Sequence, residues 1–285
     1  LSRTVRMRDS SRRTAIHYVG GLLAVAGSAV FVGPFLFVVL QALKTRQQAA
    51  ELDFNLPDPF SGLENLFAVV QAQDFVLLRA FVFSGLLTAA SVIGIVVCGS
   101  LIGFLLARKA SRWNAPLNIL VLAGLMIPPA LVPTIYVMKG LGLYKTLPGL
   151  ILIEIAIGLP FAILLFRAFV SSVPREIDEA AVIDGAGPLR MFFQLIFPLM
   201  RPVAITVVLT SGLGVYNDFV MPLYFLPGDD WPTVQLTLFY FQDAELGSQY
   251  NLLFMSVVLI ALPPVVLFLF FNRQIIAGMA SGAVK

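Results

Sequence analysis

The chain has 285 residues, of which 59% are apolar and 12% charged, with a formal net charge of +3. Soluble domains average about 45–50% apolar and about 25% charged residues, so a water-soluble globule would lack half its usual surface charge. Disorder is excluded by the same figures, since it needs low hydrophobicity and high charge. What remains is an integral membrane protein.

Crossing a bilayer takes about 20 mostly apolar residues in a helix. Charge-free runs cover 14–43, 80–107, 113–138, 155–166, 202–217 and 247–272. Glu154 extends the fourth run and Asp218 the fifth. The predicted spans are therefore 16–43, 76–107, 115–138, 148–170, 201–224 and 250–272. Runs of this length lack the alternation of an outer-membrane barrel. The fold class is all-α: a polytopic membrane protein of six helices, with one transmembrane domain over 1–285.

The first run follows Arg3, Arg6, Arg8, Arg12 and Arg13. A cleaved signal has an apolar core of about 7–15 residues, and this run is about twice that, so it reads as an uncleaved first helix. With six spans, fourteen Lys and Arg fall on one side and five on the other. Cationic loops stay inside, which places both termini in the cytoplasm. The positive charge thus marks orientation and lipid contact, and nucleic acid is not an expected partner.

One cysteine (Cys98) and one histidine (His17) leave no disulfide framework, no Cys-rich site and no His-pair zinc site. Cys98 reads as core packing and His17 as an interfacial side chain. A phosphate-binding Gly-x-x-x-x-Gly-Lys-Ser/Thr loop is absent. The nearest string, Gly140 to Thr146, has Tyr144 where the second glycine would let the backbone approach a phosphate. Neither His-Glu-x-x-His nor Gly-x-Ser-x-Gly occurs, so no catalytic and no metal-binding residues are assigned. ATP, if used, must be bound by another chain.

The loop over 171–200 is the longest on the predicted cytoplasmic side. Pro174 suits a first helical turn. Glu176, Asp178 and Glu179 follow, where acids complement the helix dipole. Ala180 and Ala181 keep one face slim. Gly185, Gly187 and Pro188 break the helix and restart the chain. Leu189, Phe192, Phe193, Ile196 and Phe197 then recur at helical spacing, an apolar face suited to the membrane surface or the underside of the bundle. From physics alone this could equally be a solvated connector with an amphipathic tail.

The spacing sharpens that choice. Glu179-Ala180-Ala181, then Asp184-Gly185-Ala186, then Leu195 and Pro198, resembles the EAA loop of ABC-importer permeases, with Leu195 and Phe197 in place of that pattern's Ile and Leu. Leu63-Glu64-Asn65, Met126-Ile127-Pro128-Pro129, Gly158-Leu159-Pro160-Phe161, Tyr216-Asn217-Asp218-Phe219 and the end from Gly278 to Lys285 resemble, in order, motifs of the carbohydrate-uptake (maltose-transporter-type) permeases. The resemblance implies a type I ABC importer permease fold in a prokaryotic cell membrane. It implies a second permease subunit, usually a different chain, and a pair of ATPase subunits that bind ATP and Mg. It implies also an extracytoplasmic sugar-binding protein. This chain itself would hold no cofactor. Under the resemblance Glu179, Ala180, Ala181, Asp184, Gly185, Leu195 and Pro198 form the ATPase-coupling segment, with Glu179 in polar contact and Gly185 making the turn.

A substrate path is sought at carboxylates inside the membrane, which cost roughly 2.5–3.5 kcal/mol at a helix centre and so face the interior. Asp218 and Glu154 qualify, with Asn217 and Tyr216 offering hydrogen bonds and a ring face for a sugar. A structural alternative stands beside this. Asp218 and Asn217 could tie helices together or satisfy backbone groups freed by Gly212, Gly214 and Pro222, and Glu154 could reach the headgroups. Pro227, Gly228 and Trp231 form a loop able to meet a binding protein. A self-sufficient secondary transporter or channel for a small polar solute is the competing function. It would need an ion-coupling constellation that two lone carboxylates scarcely supply.

Overall fold

The computed structural model describes residues 27–28, 30–227, 232–241 and 249–283. The arginine-rich start, His17, the first part of the first predicted span, Gly228 and Trp231 lie outside the described residues. Only helices and turns occur among the described residues, with no strand. This follows from sequence runs too long and too uniformly apolar for two-residue alternation.

The chain runs through α1 (Val30–Leu43), a short α2 (Arg46–Ala50), α3 (Gly62–Arg108), α4 (Asn114–Met126), α5 (Leu131–Gly140), α6 (Leu147–Ser172) and α7 (Glu176–Ile183). It continues through α8 (Pro188–Leu199), α9 (Arg201–Asn217), α10 (Val220–Phe225), α11 (Val234–Thr237) and α12 (Tyr250–Ala283). Among the described residues, α3, α6 and the Tyr250–Phe271 part of α12 are each long and apolar enough to cross a bilayer, and five spans result if each bent pair is one.

The structure departs from two predicted spans. The single helix expected over 115–138 is two, α4 and α5, bent by 119°. Pro128 and Pro129 cause this: a residue before proline is pushed out of the α region, and Ile127 is extended at φ −89°, ψ 120°. The helix expected over 201–224 stops at Asn217, and Asp218 is extended at φ −70°, ψ 128° before α10 begins. The second span also has a longer lead than expected, since α3 opens at Gly62. Gln73, Asp74 and Phe75 carry positive φ (45°, 57° and 58°), which interrupts the right-handed course just before the predicted start at 76.

The backbone divides into two compact units, Leu1–Ala72 with Leu238–Ile260, and Gln73–Thr237 with Ala261–Lys285. The first is organised by a buried polar hub. Asn65 donates to the carbonyls of Ala42 and Lys44, both at 2.8 Å, and accepts from Asn251 at 2.7 Å. Lys44 is 1% exposed. It pairs with the Asp53 carboxylate and donates to the Asp53 carbonyl at 2.9 Å, where Gln41 also donates. The Lys44 hydrogen bond holds the Asp53 carboxyl below its ordinary range.

The second unit has apolar cores. One gathers Phe83, Leu87, Leu150, Ile153, Val215 and Phe225. A second gathers Ile95, Ala162, Phe166, Val170, Phe192, Ile196 and Met200, and a smaller one Leu106, Val121 and Ile163. α3 and α6 approach closely through small residues. A Cβ at Gly103 would lie 2.8 Å from the Phe166 Cβ and 3.0 Å from the Arg167 backbone nitrogen, and one at Gly99 would lie 2.9 Å from the Ala162 Cβ. In a membrane such close approach, rather than apolar burial, holds helices together.

Candidate functional site

α7 begins after Pro174 with three acids, Glu176, Asp178 and Glu179, in its first turn. It ends on Gly185, whose φ is +77°. The Ala186 nitrogen donates to the Ala181 carbonyl at 2.9 Å and the Gly185 nitrogen to the Val182 carbonyl at 3.0 Å. These two bonds make a Schellman motif, which satisfies the last carbonyls of the helix and requires a left-handed residue at Gly185. A Cβ there would meet nothing within 4 Å, so the requirement is conformational and not one of space.

The two alanines divide between faces: Ala180 is exposed and Ala181 is buried. Glu179, Asp184 and Gly185 are exposed beside Val182 and Ile183, which are 61% and 85% exposed. In α8 the predicted apolar stripe also divides. Phe192 and Ile196 are buried in the second core, and the Phe192 ring lies 5.4 Å from that of Phe104. Leu189 and Phe193 face outward, as do Leu195 and Pro198. Over Met191–Ile196 the helix takes the wider π form, each hydrogen bond reaching one residue further than in an α-helix, ahead of Pro198, which has no N–H to donate. The whole segment thus seats one face on the bundle and presents acids and aliphatic side chains on the other.

Arg108, the last residue of α3, ties this segment down. Its Nε lies 2.6 Å from Oδ2 of Asp178, with both side chains largely buried. Its Nη2 donates to the Val173 carbonyl at 2.9 Å. Sequence reasoning missed this pair. From the sequence Arg108 counts only among the cytoplasmic-side charges and Asp178 only as a dipole partner, because no local spacing joins residues so far apart in the chain.

The four residues proposed for a substrate path come together in part. Glu154 is 5% exposed, so its carboxyl is buried within the protein. Its Oε1 has no hydrogen-bond partner among the described residues. Asp218 Oδ1 accepts from the nitrogens of Val220 (2.8 Å) and Met221 (3.3 Å), and so caps α10. Asn217 donates to the Leu213 carbonyl at 2.9 Å and accepts from Gln235 at 3.1 Å. Tyr216 is half-buried. These bonds match the structural alternative for Asp218 and Asn217. Pro227 is exposed. No group of three or more His, Cys, Asp or Glu able to hold a metal occurs among the described residues.

Comparison with known proteins adds to this geometry. The family described as "Binding-protein-dependent transport system inner membrane component" matches residues 99–280. The chain is 29% identical to the diacetylchitobiose uptake system permease protein NgcG of Streptomyces coelicolor, over 97% of this chain and 91% of that one. It is also 29% identical to the melibiose/raffinose/stachyose import permease protein MelC of Bacillus subtilis, over 97% and 99%. A chain in the crystal structure of a bacterial ABC transporter involved in import of the acidic polysaccharide alginate superposes with a TM-score of 0.79 at 17% identity, covering 90% of this chain and 95% of that one. That likeness shows a shared fold.

Proposed function

The chain belongs to the family of binding-protein-dependent transport system inner membrane components, and from that premise we propose that it is one of two permease subunits of an ATP-driven importer for a sugar or oligosaccharide. It is a permease and not an enzyme, with ATP hydrolysis in a separate subunit. Relatives that match over nearly the full chain are named for uptake of diacetylchitobiose and of melibiose, raffinose and stachyose. This supports a carbohydrate cargo. The proposed topology keeps six spans with both termini in the cytoplasm, in a prokaryotic cell membrane. The proposed partners are a second permease, an ATPase pair carrying ATP and Mg, and an extracytoplasmic sugar-binding protein.

The observation that carries this reading is the α7–α8 segment, seated on one face and exposed on the other. Closure of an ATPase pair can move a permease only through a contact whose binding energy differs between states. α7 supplies such a contact: Glu179 and Asp184 offer charge, Ala180 permits close approach, and Val182 and Ile183 offer apolar area. Leu195 and Pro198, exposed on α8, extend the same surface. Glu154, Tyr216, Asn217 and Asp218 shape the region beside α10, with Asp218 and Asn217 holding helices. Pro227, Gly228 and Trp231 are the residues proposed to meet the binding protein. The test is reconstitution of the purified assembly in proteoliposomes with a panel of labelled α- and β-linked oligosaccharides. Accumulation that needs ATP inside and binding protein outside supports the proposal. Accumulation driven by a proton gradient without the ATPase refutes it.

A further inference from the structure

We propose that Arg108 is the positioning residue of the coupling segment: its guanidinium joins the end of α3 to the start of α7, so that a displacement of α7 is delivered to a membrane-spanning helix. This rests on the reading of α7 as the contact with the ATPase.

Three observations converge on Arg108. The first is where its contacts go, one a hydrogen bond and the other an ion pair. One arm reaches the Val173 carbonyl, at the C-terminal end of α6, and the other reaches Asp178, in the first turn of α7. The two contacts bracket Pro174, the joint between those helices. A cation is favoured at the carbonyl end of a helix, and an anion in a first turn, so each contact agrees with the helix dipole beside it.

The second is burial. The Arg108 and Asp178 side chains are 11% and 17% exposed. Exposed ion pairs are screened and hold little, whereas a pair withdrawn from water resists separation once formed. Arginine suits this place, because its wide guanidinium donates to the Val173 carbonyl from one nitrogen while another lies against the Asp178 carboxylate, whereas lysine carries a single point charge.

The third is what stands behind Arg108. Five residues earlier, Gly103 brings the α3 backbone against Phe166 and Arg167 of α6 with no room for a Cβ. The end of α3 is therefore packed on α6 before Arg108 reaches across to α7. Without Arg108, α7 would be joined to the bundle by the Val173–Pro174 hinge, by buried Ala181 and by α8. With it, a push on α7 acts on α3 directly.

The test uses the assembly purified with its native partner subunits, with Cys98→Ser and nitroxide labels at Leu105→Cys on α3 and Ile183→Cys on α7. Both label sites are exposed. The 105–183 distance is read by pulsed EPR without nucleotide and with ATP, Mg and vanadate. A single narrow distribution is expected in both conditions. Arg108→Gln is expected to broaden it at least twofold with ATP, Mg and vanadate. Arg108→Lys should fall between, and Asp178→Asn, which keeps the size and removes the charge, should broaden the distribution as Arg108→Gln does. Partial rescue by lysine is an effect that mere loss of packing would not give. A distribution in Arg108→Gln as narrow as the parent's overturns the inference, as does one in Asp178→Asn as narrow as the parent's. The underlying reading is checked separately: the Ile183 label should lose mobility when the ATPase subunit is present. If it does and Arg108→Gln changes nothing, this inference alone falls. If it does not, the coupling reading falls first.

Discussion

The Glu176–Leu199 segment and the hub around Asn65 distribute polarity in opposite ways. In the hub the polar groups are inside: Lys44, Gln41, Asn65 and Asn251 are all buried, and nearby Phe54, Leu56 and Phe60 are exposed. In α7 the acids Glu176 and Glu179 are exposed, only Asp178 is drawn inward, and Val182 and Ile183 stand exposed beside them. Buried hydrogen-bonded groups fix a chain segment in place, because leaving any one of them unpaired is expensive. An exposed mixture of acids and aliphatic groups fixes nothing within the chain and suits a partner surface with a desolvated centre and a polar rim. The hub is built to stay still, and α7 is built to be held by something else.

The sharpest way to break this comparison is Gly185→Val. A left-handed conformation costs a non-glycine residue about 1–2 kcal/mol, and more for a β-branched one. The Schellman turn should open and α7 lose its orientation. ATP-driven uptake in proteoliposomes is expected to fall at least tenfold, with ATP hydrolysis and helical content unchanged. Gly185→Asn, which tolerates the left-handed region, should retain more uptake than Gly185→Val. Uptake at the parental rate in Gly185→Val would contradict the role of the turn.

The hub predicts the reverse pattern. Asn65→Leu strands the Ala42 and Lys44 carbonyls and removes the bond from Asn251, which should destabilise by about 2–3 kcal/mol. A lowered thermal midpoint of the purified assembly is expected, with uptake per folded molecule preserved. A loss of uptake at unchanged midpoint would blur the distinction between the two regions.

Asp218 belongs with the hub in kind, since it caps α10 through two backbone nitrogens. Asp218→Ala should cost about 1 kcal/mol of stability and Asp218→Asn a few tenths, since asparagine also caps. The concentration of oligosaccharide giving half-maximal uptake should be the same in both variants. A tenfold rise in that concentration for Asp218→Asn would move Asp218 to the substrate path.

The smallest effect is on pH. Lys44 lowers the Asp53 carboxyl, so the stabilisation from this pair is complete above the ordinary carboxylate range. It fades only as the pH falls through the lower, folded-state value. Thermal midpoints compared between neutral pH and a pH about one unit below the ordinary carboxylate value should therefore drop slightly more for the parent than for Asp53→Asn. An equal drop in both would show that the pair contributes nothing.

The sequence made the helical class and α6 legible, because twenty-residue apolar runs have few other solutions. Gly185 was legible too, as a glycine closing an acid-led helix of two turns. The bend at Pro128-Pro129 was readable in principle, since two adjacent prolines deprive a helix of two donors, but the unbroken apolar run around them argued for a straight span. Asp218 looked like the fifth helix extended and proved to be its end. The Arg108–Asp178 and Asn65–Asn251 contacts were not legible at all. They join residues distant in the chain, and residue type alone does not tell a staple from a solvated charge.

The measurement that bears most directly on the account is cross-linking from Ile183→Cys, in a Cys98→Ser background, within the purified assembly. Ile183 is 85% exposed and stands next to Gly185 at the end of α7. The account predicts an adduct with the nucleotide-hydrolysing subunit. An adduct with the sugar-binding protein, or none with the ATPase while the assembly is intact, would contradict it.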